Sequence, residues 1–253
     1  MRPERRIEGP TRTHGRVEEV YHGDDLWVLN KPAGVLSHPN PPSEMDRAAV
    51  LPLSYDSKLE AFCLEDEGGG VRHIYLIHRL DQDTSGLLLL SLDAELAAQL
   101  KQLFFHHEVT KEYRALVGGI VEPRNGVWKD CLHKKKGRGH LKVVATRGRP
   151  NAETRYRVLK NFSGEGMSLL SLRPETGRTH QLRVQCASRK YPIAGDERYG
   201  DFSWNRELRK RIGLRRMFLH AWRLEFRHPR TGRKLRFEAA GGKSLEEPMG
   251  ALE

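Results

Sequence analysis

Apolar and polar residues along much of the chain alternate with the period of two that is typical of β-strands. Within VEEVYHGDDLWVLNKPAG, two such runs flank a Gly-Asp-Asp turn and predict a pair of short strands. Short apolar or alternating segments predict further strands over residues 74–77, 87–91, 111–119, 155–159 and 168–172, and a hairpin over residues 218–239. We expect the strands at 155–159 and 168–172 to pair antiparallel, since a short turn separates them.

Helical spacing occurs in two places. Asp93 is placed to cap a helix whose apolar positions follow at Leu96, Leu100, Leu103 and Phe104. Residues 177–188 predict a second, shorter helix, with Thr179 as its cap and Leu182 and Cys186 on one face. Arg183 is then expected to project beside that face.

Strands outnumber helices and do not alternate regularly with them, so the pattern predicts an α+β fold with a mixed or largely antiparallel sheet. We expect one domain over residues 17–245, a mobile basic segment at 1–16 and a tail at 246–253. Proline and glycine predict an irregular connection over residues 39–70. Two lobes of the domain are expected to meet at a cleft.

The charge indicates a polyanionic partner, with nucleic acid the leading candidate. The 253 residues carry 44 Lys or Arg against 33 acids, a formal charge of +11. Residues 206–236 hold twelve basic and two acidic residues, and residues 134–149 hold seven basic and no acidic ones. Residues 39–70, with seven acids and two bases, are not expected to follow a phosphate backbone. A solvated surface remains the alternative for each basic stretch.

Several classes of protein do not fit the sequence. The three cysteines are far apart and predict neither a disulfide framework nor a metal site. We find no P-loop or dinucleotide-binding glycine motif. No apolar run approaches the ~18 residues of a membrane span, and the first residues lack the apolar centre of a secretory signal. We therefore expect a cytoplasmic protein without metal or cofactor.

The loop HRLDQDTSG, residues 78–86, concentrates reactive groups between two predicted strands. An aspartate such as Asp81 can attack a sugar carbon or act as a base when it is ionised, and a guanidinium within ~4–6 Å favours that state. Arg79 points the same way as Asp81 if the segment is extended. Two alternatives remain open. Asp81 and Asp83 could simply form a turn, or they could act as the paired carboxylates of a glycosidase.

The loop and its continuation, HRLDQDTSGLLLLS, resemble the signature of the RluA-type RNA pseudouridine synthases. Further matching segments follow in the family's order: NKPAGVLSHP upstream, then KEYRALVGG, ETGRTHQLRVQCA, YPIAGDERYG and LHAWRLEFRHP downstream, together spanning residues 30–229. The resemblance implies a pseudouridine synthase fold with a central cleft and no cofactor. It also implies an enzyme that isomerises uridine in RNA to pseudouridine by moving the ribose from a base nitrogen to a base carbon.

The resemblance assigns three catalytic side chains. Asp81 is the carboxylate that either attacks the ribose or removes a ribose proton, and the sequence leaves both routes open. Tyr113 is the tyrosine that stacks on the base and assists proton removal from its carbon. Arg183 is the arginine that pairs with the aspartate.

Three more residues are implied to contact the substrate. Arg79 helps displace the target nucleotide, which must leave its base stack to be reached. Ile193 lines the uracil pocket, with core packing as the alternative. Lys31 contacts RNA, with a turn lysine as the alternative. Where many members carry histidine this chain has Gln185, and we expect this to affect a peripheral contact only.

The resemblance indicates the compact subgroup, because about twenty residues precede the first matched strand, too few for an additional RNA-binding domain. We expect a monomer whose basic surface binds rRNA or tRNA, and the sequence does not choose between them. The alternative is a non-catalytic RNA-binding or assembly protein that keeps the fold, but a binding protein has no need of Asp81, Tyr113 and Arg183 together.

Overall fold

The computed structural model describes residues 17–40, 43, 45–65, 68–136 and 141–252, with the side chains of residues 136 and 141 excepted. The segment expected to be mobile, residues 1–16, lies outside the described residues. The strands are β1 (Glu18–Gly23), β2 (Leu26–Lys31), β3 (Ser54–Asp56), β4 (Ala61–Glu65), β5 (Val71–Leu76), β6 (Ser85–Ser91), β7 (Thr110–Gly118), β8 (Asn125–Lys136), β9 (Leu141–Thr146), β10 (Ala152–Phe162), β11 (Met167–Pro174), β12 (Leu219–Arg227) and β13 (Lys234–Glu238). The helices are α1 (Ala94–Phe105), α2 (Gln181–Ser188), α3 (Phe202–Arg211) and α4 (Lys243–Gly250).

These strands form one mixed, mainly antiparallel sheet. Its order is β3-β4-β5-β6-β12-β7-β11-β10-β8-β9, with β2 also on β6, β1 on β2 and β13 on β12. Among the described strands the pair β6–β12 is parallel and the other pairs are antiparallel. The α+β expectation is therefore confirmed.

Strand β6 lies at the centre of the sheet and is buried along its whole length. Its leucines alternate between two hydrophobic clusters: Leu88 and Leu90 join one cluster, and Leu87 and Leu89 join the other. A strand that is covered on both faces reads as a continuous apolar run, which explains LLLL in the sequence. The loop that precedes β6 therefore ends on a rigid support.

Gly86 fixes the position where this loop enters β6. It pairs with Ala221 in the parallel β6–β12 contact, and its φ of +114° is open to glycine and strained for other residues. A Cβ atom here would lie 2.2 Å from the carbonyl oxygen of Ala221. Only glycine allows the two backbones to approach this closely.

Most predicted elements are confirmed. The strands around the Gly-Asp-Asp turn are β1 and β2, and β10 and β11 are the predicted antiparallel pair. The hairpin at 218–239 is β12–β13. Helix α1 is capped by Asp93, whose Oδ1 accepts a hydrogen bond of 2.7 Å from the backbone N–H of Leu96.

Thr179 is not the cap of α2, so that prediction is wrong. The helix begins at Gln181, and His180 occupies the cap position with φ 52° and no capping bond from its side chain. The Gln181 side chain instead holds the turn before the helix, because its Oε1 accepts from the backbone N–H of Arg178 at 3.0 Å.

The connection over residues 39–70 is only partly irregular. It contains the hairpin β3–β4, in which Tyr55 and Phe62 pack edge to face at a centroid distance of 5.0 Å. Helix α4 likewise crosses the boundary expected at residue 246, with Leu245 and Pro248 buried, so the tail prediction is wrong for the described residues 246–250. No helix in the described ranges is long and apolar enough to cross a membrane.

Candidate active site

A cleft opens where the loop before β6, strand β7 and helix α2 meet. Its volume is about 450 Å³, and its lining includes Arg79, Asp81, Tyr113, His180 and Arg183. Four of the residues named from the sequence therefore share one cavity, although they lie on separate parts of the chain.

Arg183 joins two carboxylates. Its Nη1 donates to Oδ2 of Asp81 at 3.1 Å, while its Nε and Nη2 donate to the two oxygens of Asp196 at 2.8 and 2.9 Å. The ion pair with Asp81 that the resemblance implied is thus present across 102 positions of sequence. A planar guanidinium has the donors to bind one carboxylate through two bonds and still reach a second.

The two carboxylates differ in exposure, and that difference separates their roles. The Asp196 side chain is 1% exposed, whereas that of Asp81 is 27% exposed and faces the cleft. Burial opposes the charged form of Asp196, but its bonds to Arg183 outweigh this and hold the pKa of Asp196 below its usual range. Asp196 therefore anchors the guanidinium, and Asp81 remains open to a substrate.

Arg183 stays protonated in this arrangement. Burial alone lowers the pKa of a guanidinium, but the bonds and charges of Asp196 and then Asp81 reverse that effect and raise the pKa of Arg183 above its ordinary value. The ring of Tyr199 lies 5.3 Å from the guanidinium carbon, a distance that suits a cation–π contact.

Tyr113 is partly buried at the floor of the cleft. It packs against two of the hydrophobic clusters. Burial first, and the charge of Asp81 second, raise the pKa of Tyr113 above its ordinary value, so its phenol is neutral near pH 7. The site presents a neutral aromatic ring beside a carboxylate.

His180 completes the surroundings of Asp81 and was not identified from the sequence. Its Nδ1 lies 2.8 Å from the hydroxyl of Tyr199, and its Nε2 lies 3.8 Å from Oδ2 of Asp81. The Tyr199 hydroxyl accepts a bond from the backbone N–H of Val143, so its own hydrogen is free to be donated to Nδ1. Burial lowers the pKa of His180, which favours a neutral ring with Nε2–H directed at Asp81.

Arg79 and Asp83 lie on different sides of the loop. Arg79 is exposed and lines the cleft with Asp81, as the extended-segment argument predicted. Asp83 instead lines a second cavity, which it shares with Ser85 and Lys31. The two aspartates therefore do not face one sugar, and the glycosidase alternative is contradicted.

Lys31 is fully buried, and its placement does not fit the expected RNA contact. Its ammonium donates to the backbone carbonyls of Pro32, Val35 and Gln82 at 2.7–3.1 Å. Burial lowers the pKa of Lys31 to about 7, but three carbonyl acceptors favour the ammonium form with its three N–H donors. Lys31 ties the segment after β2 to the loop that carries Asp81.

Ile193 is 1% exposed and belongs to the hydrophobic cluster beneath α2. It forms an isolated bridge with Val117 and does not line the cleft described above. This placement favours the core-packing alternative. Its effect on the site is indirect, because Tyr113 packs against the same cluster.

Helix α2 is held on the sheet by two buried glutamines that flank Arg183. Thr154 on β10 accepts from Nε2 of Gln181 at 2.9 Å and donates to Oε1 of Gln185 at 2.6 Å. Nε2 of Gln185 also donates to Asp130 at 2.7 Å. Gln185 is 0% exposed and does not line the cleft, so it affects the site through the position of α2.

The basic stretch at residues 206–236 is divided by the fold. Its part on the β12–β13 hairpin, including the turn, is largely matched by carboxylates, in the pairs Arg223–Glu112, Arg230–Asp93, Arg233–Asp24, Lys234–Glu225 and Arg236–Glu238. Its other part lies on α3 and in the segment that follows it, and neither lines the cleft. Of the stretch at 134–149, residues 134–136 end β8 and residues 141–146 form β9, and β9 reaches the site through the bond from Val143 to Tyr199.

No group of three His, Cys, Asp or Glu side chains in the described ranges is arranged to hold a metal ion. Sequence reasoning missed Asp196, His180 and Tyr199. The motifs ETGRTHQLRVQCA and YPIAGDERYG contain all three.

Comparisons with known proteins agree with this geometry. The family model described as RNA pseudouridylate synthase matches residues 25–188. The tRNA pseudouridine synthase C of Haemophilus ducreyi is 34% identical over 229 residues, covering 87% of this chain and 89% of the relative. The ribosomal large subunit pseudouridine synthase C of Pasteurella multocida is 34% identical over 235 residues, covering 92% and 67%.

A solved structure, human RNA pseudouridylate synthase domain containing 4, superposes with a TM-score of 0.69 at 25% identity and covers 92% of each chain. The family match, the relatives and the solved structure all indicate the same family. The chain therefore belongs to the RNA pseudouridylate synthase family and is an RNA pseudouridine synthase, an isomerase.

Proposed function

We propose that Asp81 is the catalytic carboxylate of this enzyme and acts on a uridine that is turned out of its RNA into the cleft. The observation that carries the proposal is the 3.1 Å ion pair between Asp81 and Arg183, placed where Asp81 alone of the two paired carboxylates faces the cavity. An ionised, oriented carboxylate is what a reaction at a sugar carbon requires.

The reaction conserves every atom of the nucleotide. The bond from the ribose C1′ to N1 of uracil breaks, the base rotates, and C1′ bonds to C5, which then loses its proton while N1 gains one. Asp81 can serve in two ways. It attacks C1′ and is later displaced by C5, or it removes a ribose proton and later returns it. Both routes leave the carboxylate unchanged at the end.

Tyr113 supports the rotation of the base as a neutral ring. Its raised pKa argues against a resident phenolate base, so its hydroxyl assists the loss of the C5 proton as one step of a relay. The aromatic face supplies stacking for a base that has lost its neighbours.

Arg79 fits the task of replacing the extruded nucleotide. Extrusion costs a few kcal/mol and least in loops and single strands. An exposed guanidinium at the cleft can stack on the bases that remain and contact phosphate at the same time.

The RNA backbone is proposed to follow the basic hairpin, defined as β8 and β9 with their exposed side chains Lys134, Lys135 and Lys142. Val143 of this hairpin bonds to Tyr199, which bonds to His180 beside Asp81. Lysines on that hairpin are therefore near the site, and neutralised phosphates release counterions in favour of binding.

The target is proposed to be a uridine in tRNA or in large-subunit rRNA. One relative named for tRNA and one named for the large ribosomal subunit are each 34% identical to this chain. We also propose a cytoplasmic location, where those RNAs function, and a monomer, because one chain supplies the residues that line the cleft. Light scattering at micromolar concentration tests the monomer.

The function is tested by incubating the protein with unmodified tRNA and rRNA transcripts and mapping pseudouridine. The wild type should form it at defined sites, and Asp81→Ala should form none. Asp83→Ala is the matched control, because Asp83 lies in the same loop but lines the other cavity, and it should retain activity. Modification by Asp81→Ala, or no modification by the wild type in either RNA, contradicts the proposal.

A further inference from the structure

An aromatic side chain stands exposed at the rim of the cleft. Phe105, the last residue of α1, is 73% exposed. The apolar face of the same helix is otherwise used for packing, with Leu96, Ala97 and Leu100 buried. Phe105 contributes little to that core, and its exposed ring is unfavourable in water. Of the large hydrophobic side chains exposed in the described chain, Phe105 alone lines the cleft.

The surroundings of Phe105 combine aromatic rings with cations. Phe104 stacks on His78 with centroids 4.8 Å apart and an interplanar angle of 17°. The ammonium of Lys111 lies 5.9 Å from the Phe104 ring. Phe105 and His106 form a T-shaped pair at 5.2 Å and 84°, and with 73% of Phe105 exposed its ring is accessible to a planar ligand. Lys111 and Arg79 line the same cleft.

This combination suits an unpaired nucleobase with its phosphates. Base–aromatic stacking contributes ~1–3 kcal/mol per base and tolerates any base identity, while nearby cations contact the backbone. A nucleotide joined to the uridine in the cleft has to pass over the rim. The aromatic ring on that rim is Phe105, and the charge of Lys111 and Arg79 is of the sign that RNA requires.

We propose that Phe105 is a stacking platform for a nucleobase adjacent to the target uridine. The proposal rests on the proposed function, since it takes the cleft to be the place where the uridine is bound. The enzyme then recognises an unpaired segment of at least two nucleotides, with one base in the cleft and the next on Phe105. The platform supplies affinity and register, and Asp81 supplies the chemistry.

The first experiment measures binding alone, by fluorescence anisotropy with a labelled oligouridylate of about ten nucleotides. Phe105→Ala should weaken binding by about 5- to 150-fold, the equivalent of one stacked base, and Phe105→Trp should retain it. Phe202→Ala is the matched control, because Phe202 is 80% exposed but lies on α3 and does not line the cleft. Its affinity should equal that of the wild type.

The second experiment uses an RNA that the wild type modifies and replaces each neighbour of the target uridine by an abasic residue. Phe105→Ala should raise KM and leave kcat within about twofold. At one neighbouring position, the abasic RNA should lower the kcat/KM of the wild type by about the factor by which Phe105→Ala lowers it on intact RNA. The two changes together should lower kcat/KM little further. Equal affinity of Phe105→Ala and wild type, or an equal loss in Phe202→Ala, overturns the platform. Binding without modification of any RNA instead contradicts the function of Asp81 and leaves the platform to be decided by anisotropy.

Discussion

At the scale of single residues, the guanidinium of Arg183 binds two carboxylates that differ in exposure. Arg183 neutralises Asp196, which is 1% exposed, and orients Asp81, which is 27% exposed. We propose that the first contact serves the stability of the fold and the second serves the reaction. The sequence places the arginine and both acids in three separate motifs, and only the folded chain shows that they share one cation.

A pair of substitutions separates the contribution of Arg183 to stability from its contribution to turnover. Arg183→Met leaves Asp196 buried and unpaired, so the free energy of unfolding should fall by about 3–5 kcal/mol. Adding Asp196→Asn removes the buried charge, and urea denaturation should show most of that loss recovered. Turnover should remain at least about 100-fold below wild type in both variants, because Asp81 has lost the group that orients it. RNA affinity should change little.

The contrary outcome is a double variant that recovers turnover along with stability. Arg183 would then act through the fold alone. Asp196→Asn by itself serves as the control, because it keeps the ion pair to Asp81 and the volume of the side chain.

At the scale of elements, helix α2 carries Arg183, and its position depends on polar contacts. Thr154 on β10 is shared between Gln181 and Gln185. Gln181 and Gln185 are both buried, so neither side-chain amide can hydrogen-bond to water instead if the Thr154 hydroxyl is lost. The Thr154 hydroxyl therefore helps to set the register of α2 on β10, together with the bond from Nε2 of Gln181 to the carbonyl of Glu153.

Thr154→Val removes that hydroxyl with little change in volume. It leaves one buried donor and one buried acceptor unpaired, and the free energy of unfolding should fall by about 1–3 kcal/mol or more. Thr146→Val on β9 is the control, because its side chain is exposed and its hydroxyl donates a long bond of 3.4 Å to the carbonyl of Cys131, so its effect should stay within about 0.5 kcal/mol. Urea denaturation checks both. Equal losses of unfolding free energy in the two variants would show that the hydrogen bonds of Thr154 do not hold α2 on the sheet.

The sequence predicts the central elements well for a physical reason. Strands such as β6, β7 and β10 either alternate or are apolar throughout, and α1 has helical spacing with a capping aspartate. Helix α3 was not predicted, because Leu208 is its one buried residue among the ten. The hairpin β8–β9 was also missed, because its lysines hide the alternation.

The candidate site divides in the same way. Asp81, Tyr113 and Arg183 were found because they stand in contiguous motifs that resemble a family. Asp196 and His180 were missed because their roles depend on partners elsewhere in the chain: Asp196 binds Arg183 thirteen positions away, and His180 lies in a left-handed conformation that local propensity disfavours.

At the scale of the whole molecule, net charge is a poor guide to the RNA surface. Much of the basic stretch on β12 and β13 is paired with acids. The basic hairpin is joined to His180, which lines the cleft, through Val143 and Tyr199. This connection, and not the number of basic residues, is the reason for proposing the hairpin as the phosphate contact.

The salt dependence of RNA binding tests that choice. Replacing Lys134, Lys135 and Lys142 by alanine should lower the slope of log K against log salt by about 2, at roughly 0.7 for each lost phosphate contact on a single strand. Replacing Arg206, Arg209 and Lys210 on α3 removes the same formal charge from exposed positions, and the slope should be nearly unchanged. A larger decrease of the slope in the α3 variant would indicate that the RNA binds along α3 and not along the basic hairpin.

Acid should destabilise the molecule through buried neutral histidines. Burial lowers the pKa of His220 to about 4, and His220 accepts from Ser85 and contacts the carbonyl of Ala239. Arg216 and Arg114 lower it further. The unfolded chain takes up this proton near pH 6.5 and the folded chain near pH 4, so stability falls as the pH drops through that interval.

The expected loss is up to about 1.4 kcal/mol per pH unit for His220. His78, whose pKa is lowered to about 3 mainly by burial, adds a second contribution of the same sign. Urea denaturation between about pH 4.5 and 7 should give a shallower slope for His220→Gln than for wild type, whatever the offset between them. Parallel slopes would mean that His220 does not titrate in this range.

The crossing at Gly86 limits how this isomerase can be redirected to other RNAs. Because a single additional carbon there meets the oxygen of Ala221, a library that randomises this turn yields mostly misfolded protein. Phe105 and the lysines of the basic hairpin are exposed and tolerate change at little cost to folding. Engineering for a new target is best concentrated on these exposed positions, where a substitution changes RNA recognition and not folding.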